Sequence, residues 1–131
     1  MKNLILSVLF LFPTLLVFGQ SEKILLKSFQ LTANNISIDV NIDKTIHNWD
    51  RNYIKIELQI KSNISQTSLD KINNLGMFNF ESKVENSTQI ITLPKLNSNY
   101  KINDITPKNT YFMKVWIPTN LQVVDVLSVE L

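Results

Sequence analysis

Residues Asn35 to Lys61 read NISIDVNIDKTIHNWDRNYIKIELQIK, and the alternation in this stretch decides the fold class. Ile36, Ile38, Val40 and Ile42 alternate with Ser37, Asp39, Asn41 and Asp43. Further on, Ile54, Ile56, Leu58 and Ile60 alternate with Lys55, Glu57, Gln59 and Lys61. Apolar residues at a period of two, most of them β-branched, put one face of an extended strand in a core and the other in water. Such one-sided strands belong to antiparallel or solenoid-like sheets rather than to a parallel α/β core. The polar connection from Lys44 to Asn52 carries the single histidine, His47, and one of the two tryptophans, Trp49. The stretch is expected to form a hairpin around it.

Working outward, Ile24 to Thr32 reads as a first strand in which Leu25, Phe29 and Leu31 share a face and Lys27 snorkels. After Lys61 the period changes. Leu69, Ile72 and Leu75 recur at helical spacing, with Thr67 or Ser68 as N-cap, Asp70 in the first turn and Gly76 as a left-handed terminator. This short helix is expected to lay its stripe on the sheet, because it is too short to be stable alone. Met77 to Glu85 returns to alternation, Asn86-Ser87 marks a hairpin turn and Thr88 to Leu93 is the return strand. Pro94 to Asn109 reads as a long loop in which Tyr100 and Ile102 form a brief edge strand, and Tyr111 to Ile117 is a strand ended by Pro118-Thr119-Asn120. Val123 to Leu131 is apolar on both faces. The expected fold is therefore mainly β, an antiparallel or solenoid-like sheet domain with one short helix.

The start of the chain has a different logic. Met1-Lys2-Asn3, the apolar run Leu4 to Phe18 and Gly19 follow the order of a secretory signal peptide, with Gly19 at −1 and Val17 at −3. The 15-residue run is interrupted by Pro13 and falls short of the roughly 20 apolar residues that span a bilayer. The reading is a signal over residues 1–19 and a single β-rich domain over 20–131, exported to the periplasm, outer cell surface or medium, with no membrane span once the signal is gone. Without Lys2 the formal charge falls from +2 to +1, too near neutral to suggest a nucleic-acid partner.

The composition removes several chemistries. There is no cysteine, so thiol catalysis, thiolate metal sites, redox function and a lipid-anchored N-terminal cysteine are all excluded. A zinc site built on His47, with Asp43 and Asp50 near it in sequence, would need further histidine or cysteine ligands that the chain does not contain. Asp39, Asn41 and Asp43 alternate on one face and invite calcium, yet lack the glycine and terminal glutamate of an EF-hand loop, so a solvated strand face is the plainer reading. No nucleophile elbow accompanies His47, and one glycine in residues 20–131 leaves no phosphate-cradling loop. These residues are assigned no catalytic, cofactor or metal role, and a non-enzyme is expected. Trp49, Tyr53, Tyr111 and Trp116 are the side chains suited to flat or sugar-like surfaces, with core packing as their ordinary role.

The order of these segments resembles a known type. Asn48-Trp49-Asp50-Arg51-Asn52-Tyr53-Ile54-Lys55-Ile56 stands where a "gwd-x-n-x-I-x-I" segment ends the first hairpin, and Ile117-Pro118-Thr119-Asn120 stands where a "vPkN" turn leads into repeated strands. In this the chain is similar to the N-terminal part of the secreted bacterial adhesin-like β-strand-repeat proteins, of the DUF4097 and auto-transporter adhesin head-domain type. His47-Asn48 replaces the glycine before the tryptophan, and the glycine-rich repeats after the turn are missing. The resemblance implies a non-enzymatic envelope or surface β-protein, and a fold that could cap a β-solenoid at its N-terminus; it carries no catalytic residues. Two alternatives stand beside that function: a truncated, non-functional cap of a longer solenoid, and a small exported carbohydrate-binding module using Trp49. The expected interaction surface is Trp49 together with Val124, Val126, Leu127 and Val129 of the apolar last strand, facing a protein or cell-surface partner. The oligomeric state is left open.

Overall fold

A computed structural model describes residues 20–96, 101 and 106–123. Among the described residues the chain is mainly β with one short helix, as the alternation requires. Its elements are β1 (Ser21–Gln30), β2 (Asn35–Asp39), β3 (Asp43–Trp49), β4 (Tyr53–Ser62), α1 (Gln66–Asn74), β5 (Glu81–Glu85), β6 (Thr88–Thr92), β7 (Asn109–Pro118) and β8 (Gln122–Val123). They form two four-stranded sheets, ordered β1-β4-β7-β3 and β5-β6-β2-β8. Both are mixed. The pairs β1–β4, β4–β7 and β5–β6 are antiparallel, whereas β2–β6, β2–β8 and β3–β7 are parallel.

The two sheets and the helix share one apolar core. Ile54, Ile56, Leu58 and Ile60 of β4 meet Met113, Val115 and Ile117 of β7, Ile36 and Ile38 of β2, Ile91 of β6, and Leu69 and Ile72 of α1. Burying an aliphatic side chain of this size is worth about 1.5–3 kcal/mol, so the ten-residue β4, at the centre of the first sheet, supplies the largest single share.

The hairpin expected over Asn35 to Lys61 is not formed. The alternation of Ile36 to Ile42 is broken at Val40, where the Ile42 amide donates back to the Val40 carbonyl at 3.0 Å. The Lys44 ammonium then donates to the carbonyls of Val40 at 2.8 Å and Ile42 at 3.2 Å. This tight bend carries the chain out of the second sheet and into the first. The polar segment after it, expected as a connection, is the edge strand β3. Strands β3 and β4 are joined by Asp50 to Asn52, yet β7 lies between them. Three residues suffice for that step, since neighbouring strands lie about 4.8 Å apart and each residue reaches about 3.3 Å. Period-two alternation reports which side chains share a face and is silent on which strand comes next.

Three local details also differ. The helix is capped by Ser65, whose Oγ accepts from the Ser68 amide at 3.2 Å, rather than by Thr67 or Ser68. Its first turn holds no acid, so Asp70 falls one turn later. Leu75 is the C-cap and 75% exposed, leaving Leu69 and Ile72 as the buried stripe. Gly76 does take the left-handed conformation, with φ +86°. Strand β5 begins only at Glu81, because Phe78 turns fully into the core before it. The β5–β6 hairpin forms as expected, with positive φ at both Asn86 and Ser87. Tyr100 and Ile102 lie outside the described residues.

Candidate interaction face

The outer face of the first sheet follows from its registers. Across β1, β4, β7 and β3, one row reads Ser28, Lys55, Trp116, His47; the next reads Leu26, Glu57, Lys114, Thr45; the third reads Ile24, Gln59, Phe112, Asp43. Polar side chains of β4 and of the β3 edge divide this face, and its apolar members are Ile24 and Leu26 on the β1 edge and Phe112 and Trp116 on β7. Ile24 and Leu26 are 58% and 60% exposed, and Phe112 and Trp116 are half-buried.

The first row is built around Trp116. His47 stacks beside its indole, with ring centroids 5.6 Å apart and planes 28° apart. From the other neighbouring strand, the Lys55 ammonium sits 4.7 Å from the ring centroid, within cation–π range. The indole is thus flanked from both sides. His47 is exposed, and its Nε2 lies 3.1 Å from Thr45 Oγ1. Trp49 extends the row: its ring is 6.3 Å from that of Trp116 and meets Tyr53 edge-on at 5.0 Å.

Trp49 is half-buried and strongly held. Its indole N–H donates to the Tyr53 carbonyl at 3.0 Å, closing the Asp50–Asn52 connection. Its carbonyl accepts from the Thr119 amide at 3.0 Å and from the Thr119 hydroxyl at 2.7 Å. A shallow groove of about 330 Å³ runs past it, lined by Leu31, Asp50, Arg51, Asn52 and Asn120 among others. A second, of about 600 Å³, lies on the β1 side of Tyr53, lined by Ser28, Phe29, Gln30, Leu31 and Asn52.

The remaining sequence candidates are placed apart from this cluster or elsewhere on the surface. Asp39 ends β2, Asn41 lies in the bend and Asp43 opens β3, so the alternating trio does not share one strand face. All three are exposed. Among the described residues no group of three or more His, Cys, Asp or Glu side chains is placed to hold a metal ion. Tyr111 faces Phe78 edge-on at 6.3 Å on the core side. Val124, Val126, Leu127 and Val129, the expected coupling surface, lie outside the described residues. Sequence reasoning missed Ile24, Leu26 and Phe112, because an outward side chain on an alternating strand is read as solvated whatever its chemistry.

No family model matches the chain, and neither a curated protein nor a solved structure matches it.

Proposed function

We propose that this chain is an exported, non-enzymatic, adhesin-like β-protein of the bacterial cell envelope or surface that acts through protein contacts. The observation carrying this reading is the outer face of the first sheet. Its Ile24 and Leu26 are exposed, and the half-buried Phe112 and Trp116 add aromatic surface across β4 on the same four-stranded sheet. Aromatic side chains are enriched at protein interfaces, and apolar patches on soluble proteins commonly mark contact sites. The signal-like residues 1–19 and the resemblance carried by Asn48 to Ile56 point the same way. A sugar ring stacks on an open aromatic face. Trp116 has His47 on one flank and Lys55 on the other, so this row favours contact with a protein over stacking with a saccharide.

The test has two arms. Expression of the full chain with an epitope tag, followed by cell fractionation and N-terminal sequencing, is expected to find it in the envelope or medium beginning at Gln20. Cells displaying it are expected to be retained on protein-coated surfaces more than cells without it, and Leu26→Lys with Phe112→Lys is expected to abolish the difference. Cytosolic retention, or equal attachment with and without the gene, refutes the proposal.

A further inference from the structure

Strand β3 is the edge of the first sheet, paired on one side with β7 and with no strand on its other side among the described residues. An open edge is a template for another strand, and proteins usually blunt such edges with short length, charge or inward-pointing lysines. The other long edge is defended in that way. On β1, Lys23 and Lys27 point toward the core side, and Lys23 is tied to Asp70 of α1 at 2.8 Å. Strand β5 is five residues long and alternates Glu81, Lys83 and Glu85 on its outward face. Strand β3 is less defended, being uncharged beyond its first two residues, Asp43 and Lys44. It is seven residues long, and its one inward lysine, Lys44, is committed to the carbonyls of Val40 and Ile42 at the preceding bend. Its centre is Ile46, on the core side and yet 39% exposed.

We infer that two copies of this chain pair through their β3 edges, antiparallel about a twofold axis at Ile46. The strand is self-complementary in that register. Ile46 faces Ile46 of the second copy, Thr45 faces His47, Lys44 faces Asn48, and Asp43 faces Trp49, so no like charges oppose one another. Sliding by one pair places Lys44 beside Ile46, or sets His47 against its own copy; one register is therefore preferred. Twofold, self-complementary interfaces are the commonest in homo-oligomers. The product is a continuous eight-stranded sheet whose outer face carries two His47–Trp116–Lys55 rows side by side. One strand edge per copy is small beside the roughly 1,200–2,000 Å² of a stable interface, so the equilibrium lies at high protein concentration. The inference is independent of the proposed function: it concerns self-association and stands whether or not the protein attaches to anything else.

Sedimentation velocity of the protein across about two decades of micromolar concentration is expected to show a monomer–dimer equilibrium. Ile46→Lys is expected to weaken it at least tenfold, because it places a lysine at the twofold axis. Opposed residues of an antiparallel ladder lie about 4.5–5.5 Å apart between Cα atoms, within disulfide reach, and the chain has no native cysteine. Ile46→Cys is therefore expected to oxidise to a covalent dimer several-fold faster than Leu26→Cys or Val84→Cys, which sit on the edge strands β1 and β5. This cross-linking decides the matter even where Ile46→Lys impairs folding, as circular dichroism would reveal. A monomer at every concentration overturns the inference. So does a dimer indifferent to a folded Ile46→Lys, or cross-linking as fast from the other two positions.

Discussion

The carbonyl of Trp49 accepts two hydrogen bonds from Thr119, one from its amide and one from its hydroxyl, across seventy residues of sequence. This contact fastens the exit of β7 beneath the connection that joins β3 to β4. Strand β7 is inserted between strands that are neighbours in the chain and is paired with both along its length, and Thr119 adds a contact at its end. Trp49 is the hinge point of the same arrangement, its indole N–H closing onto Tyr53. The residue that looked most available for a ligand is thus committed to holding the sheet together.

Thr119→Val keeps the shape and the amide bond but removes the hydroxyl. The expected loss is about 0.5–1.5 kcal/mol, the net worth of an ordinary hydrogen bond. Thermal unfolding followed by tryptophan fluorescence checks it, since Trp49 reports on the site directly. An unchanged midpoint would mean the Thr119 amide alone accounts for this contact.

Gln89 is a polar side chain within the core, 1% exposed. Its amide nitrogen donates to the Gln30 carbonyl and to Ser82 Oγ, and its oxygen accepts from the Thr32 amide, each at 3.0 Å. It ties the end of β1 to the second sheet. Gln89→Leu strands those backbone groups, at about 1–3 kcal/mol for each one left buried without a partner. Gln89→Glu tests the same site through pH. Burial, together with the Gln30 carbonyl, raises the pKa of the new carboxyl in the folded state. Stability of that variant is therefore expected to rise as pH falls through the folded-state value. Chemical denaturation of both variants at neutral and acidic pH reads out the two effects.

The Asp70 carboxylate is held below its ordinary pKa chiefly by the hydrogen bond from Lys23, with a further lowering from its charge, against some desolvation. A depressed folded-state pKa gives stability that is present above the unfolded value, about 3.9, and is lost as pH falls through the folded value. Asp70→Asn is expected to be less stable than the native chain at neutral pH and equal to it once the pH is well below 4. Melting temperatures of the two proteins compared across that window decide the point; a gap that persists at low pH would assign the effect to packing rather than charge.

At the β5–β6 turn, Asn86 and Ser87 have φ of +51° and +63°. Asparagine tolerates the left-handed region, and serine does so at a cost. Ser87→Gly restores the Asn-Gly pair favoured by two-residue hairpins and is expected to stabilise the domain by up to about 1 kcal/mol. Denaturant midpoints measure this, and a loss of stability would show that the serine side chain has a role in the turn.

Much of this architecture was legible beforehand because short-range rules govern it. The alternation of Ile54 to Ile60 made β4 a half-buried strand, the spacing of Leu69 and Ile72 made α1 a helix, Gly76 ended it, and Asn86-Ser87 reversed the chain. The exposed outer face was only partly legible: Trp116 and Tyr53 stood out by type, but Ile24 and Leu26 passed as ordinary strand residues.

What the sequence by itself determined is the local state of the backbone and the side of each strand that is buried, since both follow from propensity and from the amphipathic period of two or 3.6. Partner choice was decided by the tertiary structure alone. The insertion of β7 between β3 and β4 and the parallel pairings of β2 and β3 join residues dozens of positions apart. Their free energies come from a shared core and from contacts such as Thr119 with Trp49, which no window of sequence contains.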